Sequence, residues 1–100
     1  HGEAVAIGII CESYISHKHS GLSEDELAEI LQYVSTNFEY YTFRPGYFEQ
    51  IFELMQHDKK NTANTINFTL LTTIGNSIIN EVVDVALVRE SLMYYQNLLV

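Results

Sequence analysis

The apolar positions of this chain fall into four helical stretches and one short β element. From Gly2 to about His17, small residues (Gly2, Ala4, Ala6, Gly8) alternate with Val5, Ile7, Ile9 and Ile10. Alternation over so short a run also suits a strand, but Cys11, Tyr14 and Ile15 carry the pattern on at helical spacing and decide for a helix. Gly21 supplies its stop. Ser23-Glu-Asp-Glu26 is a capping box, in which a serine hydroxyl takes an orphan amide and a glutamate reaches back. Leu27, Ile30, Leu31, Val34 and Phe38 then mark the buried face of a second helix. Pro45 suits the first turn of a third, whose inner face carries Phe48, Ile51, Phe52 and Met55. The β-branched segment Ile66–Ile74, a turn at Gly75-Asn76 and Ile78–Val83 read as a small hairpin. Asp84 caps a last helix burying Val85, Val88, Leu92, Tyr95 and Leu99. The expected fold is one mainly helical domain over residues 1–100, about four helices with a minor β-hairpin.

Composition narrows the function classes. At 100 residues and 47% apolar content the chain can bury a single small core, roughly 60–65% of its unfolded surface. Thirteen acids against five bases give a net charge of −8, which repels phosphate backbones and argues against nucleic acid as a partner. No basic amphipathic helix suits a membrane surface. The longest apolar run, Ala4 to Cys11, is far short of the ~20 residues of a membrane span. The one cysteine, Cys11, allows no internal disulfide and suits a reducing compartment, so the cytoplasm is the expected location. Cys11 lies among apolar neighbours and reads as a core residue. The first residue is not methionine, which leads to the expectation of a chain starting inside a longer protein. A helix apolar on most sides at that start should then expose an apolar patch and promote self-association when alone.

Two polar clusters are candidates for chemistry. His1-Gly-Glu3 leads into the apolar helix and can be read as a metal ligand beside a carboxylate, or as a solvated terminus; zinc needs at least three protein ligands. Asp58-Lys59-Lys60 holds the only adjacent bases of an acidic chain. The lysines suit both the negative end of the preceding helix and an anionic ligand, and the two roles are compatible. His17-Lys-His19 resembles a metal pair, but residues two apart on a helix point to different sides, so it reads as a solvated helix end. His57 beside Asp58 gives no evidence of a catalytic pair. No glycine-rich phosphate cradle or nucleophile elbow is present.

Three blocks go further when taken together: His1-Gly-Glu-Ala-Val-Ala-Ile-Gly8, His57-Asp-Lys-Lys-Asn61, and Ile66-Asn-Phe-Thr-Leu-Leu71 with Ile74-Gly75. In this order and separation they resemble the C-terminal helical domain of the 3-dehydroquinate synthases, over essentially the whole chain. The resemblance implies a divalent metal, zinc or cobalt, with His1 as one of three protein ligands and the other two upstream. It implies substrate contact by Lys59 or Lys60, and an N-terminal nucleotide-binding domain, absent from this chain, that holds NAD. No catalytic or NAD-binding residue is implied within these 100 residues. The implied reaction is cyclisation of 3-deoxy-D-arabino-heptulosonate 7-phosphate with loss of phosphate. A substrate hydroxyl is transiently oxidised with NAD, and the ketone acidifies the neighbouring carbon so that phosphate is eliminated. Hydride then returns, the ring opens, and an intramolecular aldol closure gives 3-dehydroquinate. The metal suits a Lewis acid that orients the sugar acid, and lysines suit its carboxylate or phosphate as point charges.

Two positions depart from the family pattern: Asn64 where glycine is usual in the turn before Ile66, and Ile9 where methionine is common. Asparagine tolerates the left-handed conformation and isoleucine is an acceptable core exchange. The leading expectation is thus part of a homodimeric, NAD- and metal-dependent carbon–oxygen lyase of the shikimate pathway, inactive without its other domain. A related sugar-phosphate cyclase is a second reading. A non-catalytic helical module, binding a partner through an acidic surface with seven tyrosines, is a third.

Overall fold

A computed structural model of the chain describes residues 2–38, 49–50, 53, 60–62 and 65–98, with side chains at 6–38, 49–50, 53, 68–79 and 81–98. Helix α1 (Gly2–His19) is followed by α2 (Glu24–Asn37), strands β1 (Lys60–Thr62), β2 (Thr65–Thr73) and β3 (Asn76–Asp84), and helix α3 (Val85–Asn97). Glu49, Gln50 and Glu53 are helical and exposed, matching the polar face of the helix expected after Pro45. Pro45 and the apolar face at Phe48, Ile51, Phe52 and Met55 lie outside the described residues, as do Asn64 and Leu99.

Helix α1 is the centre of the molecule. Its small and branched residues let neighbours approach from several directions, and it packs against α2, α3 and β2. Ala6, Ile10, Cys11 and Ile15 are fully enclosed; Ile7, Tyr14, Ser13 and Ser16 are buried with them. Around α1 the core is completed by Val34 of α2, Phe68 and Leu70 of β2, Val83 of β3, and Val88, Leu92 and Tyr95 of α3. The expected apolar patch on α1 is therefore not found from Ala6 onward, because this chain's own elements cover the helix. Among the described residues the exposed large apolar side chains are instead Ile74, Ile78, Ile79 and Val82 of the hairpin, with Tyr33 and Met93. Ile9, the departure from the family pattern, is half-buried against the core.

Helix ends follow from local chemistry. The Leu22 amide returns to the Ser16 carbonyl (3.3 Å) across Gly21, whose φ of +89° only glycine adopts readily. This puts Leu22 into the core. At α2 both halves of the capping box form: the Glu26 amide donates to Ser23 Oγ (3.1 Å) and the Ser23 amide to Glu26 Oε1 (3.4 Å). Asp84 caps α3 by accepting from the Ala86 amide at 2.8 Å.

The sheet is larger than a minor hairpin. Strands β2 and β3 have nine residues each, pair antiparallel, and are joined by short β1 into the order β1-β2-β3. The turn occupies Ile74-Gly75, one residue earlier than expected, with Gly75 at φ +99°. Between β2 and β3 the register is interrupted twice. Phe68 pairs with Glu81 but Leu70 with Ile78, which leaves one extra residue in β3. Leu71 pairs with Ser77 but Thr73 with Asn76, which leaves one extra in β2. The second bulge restores the register that the first one shifts.

Next to the second bulge two backbone donors turn to side chains of the helices. The Leu71 amide donates to Ser16 Oγ of α1 (2.9 Å), and Ser16 Oγ donates in turn to the Glu12 carbonyl (2.8 Å). The Ile74 amide, at the hairpin tip, donates to Glu26 Oε2 of α2 (2.9 Å). Glu26 thus serves both the helix cap and the hairpin. Its carboxyl is held below the usual range, first by the Ile74 amide, then by the Ser23 hydroxyl and amide.

Two outcomes are expected. Ile10→Ala empties a fully enclosed site and should cost about 2–5 kcal/mol in urea unfolding. Because the folded carboxyl of Glu26 is depressed, its contribution is complete above the ordinary glutamate range and is lost as pH falls through the lower folded value. Urea midpoints between pH 6 and pH 3 should therefore fall less steeply in Glu26→Gln than in the parent chain.

Candidate functional site

Helix α1 begins at Gly2, directly after His1 in the sequence, and Lys60 is the first residue of β1. His1, Lys59, His57 and Asp58 lie outside the described residues. Lys60 differs from expectation in its local structure. Its backbone is extended and paired with Ile66 of β2, so the role of a cation at a helix C-terminus does not apply to it. The reason lies downstream: the β-branched run of β2 offers an edge, and the segment ahead of it pairs there.

Strand β2 links the elements that these residues adjoin. β1 pairs with β2, and β2 lies on α1, where Ser16 holds the Leu71 amide. The phase of α1 is set on its other side by α3. Cys11 Sγ points at the Ser91 carbonyl (3.6 Å), and burial pushes its thiol up to about 12. A thiol so enclosed stays protonated and is a core residue, as its apolar neighbours indicate. Tyr14 stacks on Tyr94 of α3 (centroids 4.3 Å apart, planes at 27°) and donates its hydroxyl to Glu90. Lys18 lies one turn on, its Nζ 5.7 Å from the centre of the Tyr14 ring. Burial first, and then the hydrogen bond to Glu90, pushes the Tyr14 phenol up to about 12.

The histidines at the end of α1 are structural. A carbonyl can only accept, so His17 Nδ1 donates to Leu22 O (2.7 Å) and closes the turn after α1. His17 is half-buried there, rather than solvated. His19 Nε2 lies 3.5 Å from Glu81 Oε1 of β3. Arg89 of α3 grips Glu49 with both guanidinium nitrogens (2.6 and 3.1 Å), which lowers the Glu49 carboxyl. Both partners are exposed, so solvent screens this pair and it contributes little to stability.

Among the described residues no group of three or more histidine, cysteine or acidic side chains could hold a metal ion. An imidazole at position 1 would therefore need further ligands from outside them. No helix among them is long and apolar enough to cross a membrane. The tyrosines also bear on function: Tyr14 and Tyr95 are buried and Tyr94 half-buried, while Tyr33 is exposed. Sequence reasoning did not find the link from Glu26 to the hairpin tip, since the capping box already accounted for that residue. Ser16 carried no signal at all.

Comparison with known proteins places these elements in context. The profile described as 3-dehydroquinate synthase C-terminal matches residues 1–61. The 3-dehydroquinate synthase of Parabacteroides distasonis is 40% identical over 96 residues, covering 96% of this chain and 27% of that protein. The 3-dehydroquinate synthase of Thermosynechococcus vestitus is 36% identical over 94 residues (92% of the chain, 25% of the relative). That of Chlorobaculum parvum is 34% identical over 86 residues, with shares of 81% and 23%. The chain thus spans about a quarter of the length of these curated relatives. No solved structure matches it. On the match over 61 of its 100 residues, the chain belongs to the 3-dehydroquinate synthase C-terminal domain family.

Proposed function

We propose that this chain supplies the metal-ligand and substrate-anion side of a 3-dehydroquinate synthase. The enzyme would convert 3-deoxy-D-arabino-heptulosonate 7-phosphate to 3-dehydroquinate and phosphate in the cytoplasm. One observation carries the reading: the family match runs from His1 to Asn61 and so contains both the His1–Gly8 block and the Asp58-Lys59-Lys60 block. The 40% identity to one named synthase across nearly the whole chain supports it independently.

In this reading each part of the chain has a task. His1 contributes one imidazole to a zinc or cobalt ion whose other ligands come from elsewhere in the enzyme. The metal, when bound, supplies Lewis acidity toward a substrate hydroxyl. Lys59 or Lys60 offsets a carboxylate or phosphate of the substrate; a lysine does this as a compact point charge with three donors. Helix α1, enclosed from Ala6 onward, would back such a ligand with a packed element, and a packed element places a ligand better than a loop does. NAD falls to the nucleotide-binding domain that enzymes of this family possess, and the assembled enzyme is a homodimer.

The test is phosphate release from the heptulosonate phosphate with zinc and NAD present. The full-length protein should turn over and residues 1–100 alone should not; turnover by the isolated piece would falsify this division of labour. In the full-length protein, His1→Ala should abolish zinc retention on dialysis. Alanine at the substrate-contacting lysine should raise KM about 10–100-fold, the equivalent of losing a charged hydrogen bond of roughly 1.5–3 kcal/mol. Preference for a different sugar phosphate in a substrate panel would favour the related-cyclase reading.

A further inference from the structure

We infer that Ser16 and Glu26 are positioning residues that fix the hairpin, and with it the Lys60 strand, against the helix that begins beside His1. The inference rests on the functional reading above, because it concerns the spacing between the two ends of that site.

Strand β1 is three residues long and is bonded to the rest of the sheet through β2, at Lys60↔Ile66 and Thr62↔Thr65. The pairing steps out of register between Lys60 and Thr62, and the backbone of Lys60 is carried by its partner Ile66 of β2. Strand β2 in turn is fastened to the helices by two hydrogen bonds near its distal end, from Leu71 N–H within the strand to Ser16 Oγ and from Ile74 N–H in the turn that follows to Glu26 Oε2. Apolar contact at Phe68 and Leu70 holds the sheet on α1 but is non-directional, so it tolerates small slides. A hydrogen bond does not, because it weakens steeply with distance and angle. Each bulge locally disrupts the ladder, and the two side-chain bonds add fixed points beside the second one. Ser16 is well suited to the task. It is buried, and its hydroxyl is oriented by the Glu12 carbonyl on the same helix that begins beside His1. Glu26 adds the second point, at the turn, through the carboxylate oxygen that the cap does not use most closely.

Ser23 provides the control. Ser23→Ala breaks the cap of α2 and leaves Glu26 Oε2 facing the Ile74 amide, whereas Glu26→Ala loses both. Ser16→Ala removes the Leu71 acceptor and Ser16→Thr keeps a hydroxyl. The experiment is run on the full-length protein with zinc and NAD, reading amide hydrogen exchange at Leu71 and Ile74 together with KM and kcat for the heptulosonate phosphate. Ser16→Ala and Glu26→Ala should speed exchange at their own amide at least about tenfold. Each should raise KM about three- to tenfold with kcat within twofold. Ser16→Thr should restore both values, and Ser23→Ala should leave KM within twofold of the parent. Unchanged exchange overturns the anchoring. Faster exchange with unchanged KM, or an equal KM rise in Ser23→Ala, overturns the positioning role while leaving the synthase reading intact. Absence of turnover by the parent protein removes the synthase reading, and this inference falls with it.

Discussion

Enclosure of α1 is the constraint on which the other elements depend. A helix with glycine, alanine and serine among its branched residues can be approached closely on several sides, and here α2, α3 and β2 all do so. Each neighbour then needs a matching apolar stripe, which explains Val34 on α2, Phe68 and Leu70 on β2, and Val88, Leu92 and Tyr95 on α3. Close approach also brings backbone polar groups into the interior, where each must find a partner. Cys11 meets the Ser91 carbonyl and Ser16 meets the Leu71 amide, so the polar residues of α1 serve the groups that its own enclosure buries.

In the proposed synthase, a metal ligand at position 1 would adjoin a helix that α2, α3 and β2 enclose from Ala6 onward. The backbone of Lys60 is joined to that helix by a longer route, through the ladder to β2. The two supports suit different tasks. A metal site demands fixed geometry, while a point charge that steers a flexible sugar acid tolerates more latitude.

Much of this was legible in the sequence because local chemistry dictated it. The capping box at Ser23, the Asp84 cap, the glycine stop at Gly21 and the helical period of α2 and α3 all act within a few residues, and the structure bears each of them out. The third strand was not legible. Three residues carry no period, and β1 exists because β2 offers it an edge. The turn was displaced by one residue because Gly75 serves as its second member rather than its first. The covering of α1 was misjudged for a related reason: an all-round apolar helix shows that it will be buried but not by what. Of the candidate site, the block of residues around His1 and the lysine pair were readable as chemistry, and the family match spans both. The anchors at Ser16 and Glu26 were not readable, since they depend on partners 55 and 48 residues away.

The paired bulges of β2 and β3 set a rule for how this hairpin can change length. One extra residue in β3 between Ile78 and Glu81 is cancelled by one extra in β2 between Leu71 and Thr73. Deleting either residue alone would shift the pairing between the cut and the turn by one residue and turn the side chains there to the opposite face. Deleting both would leave the two ends of the hairpin facing as they do now. A one-residue insertion or deletion in one strand should therefore be offset by one in the other.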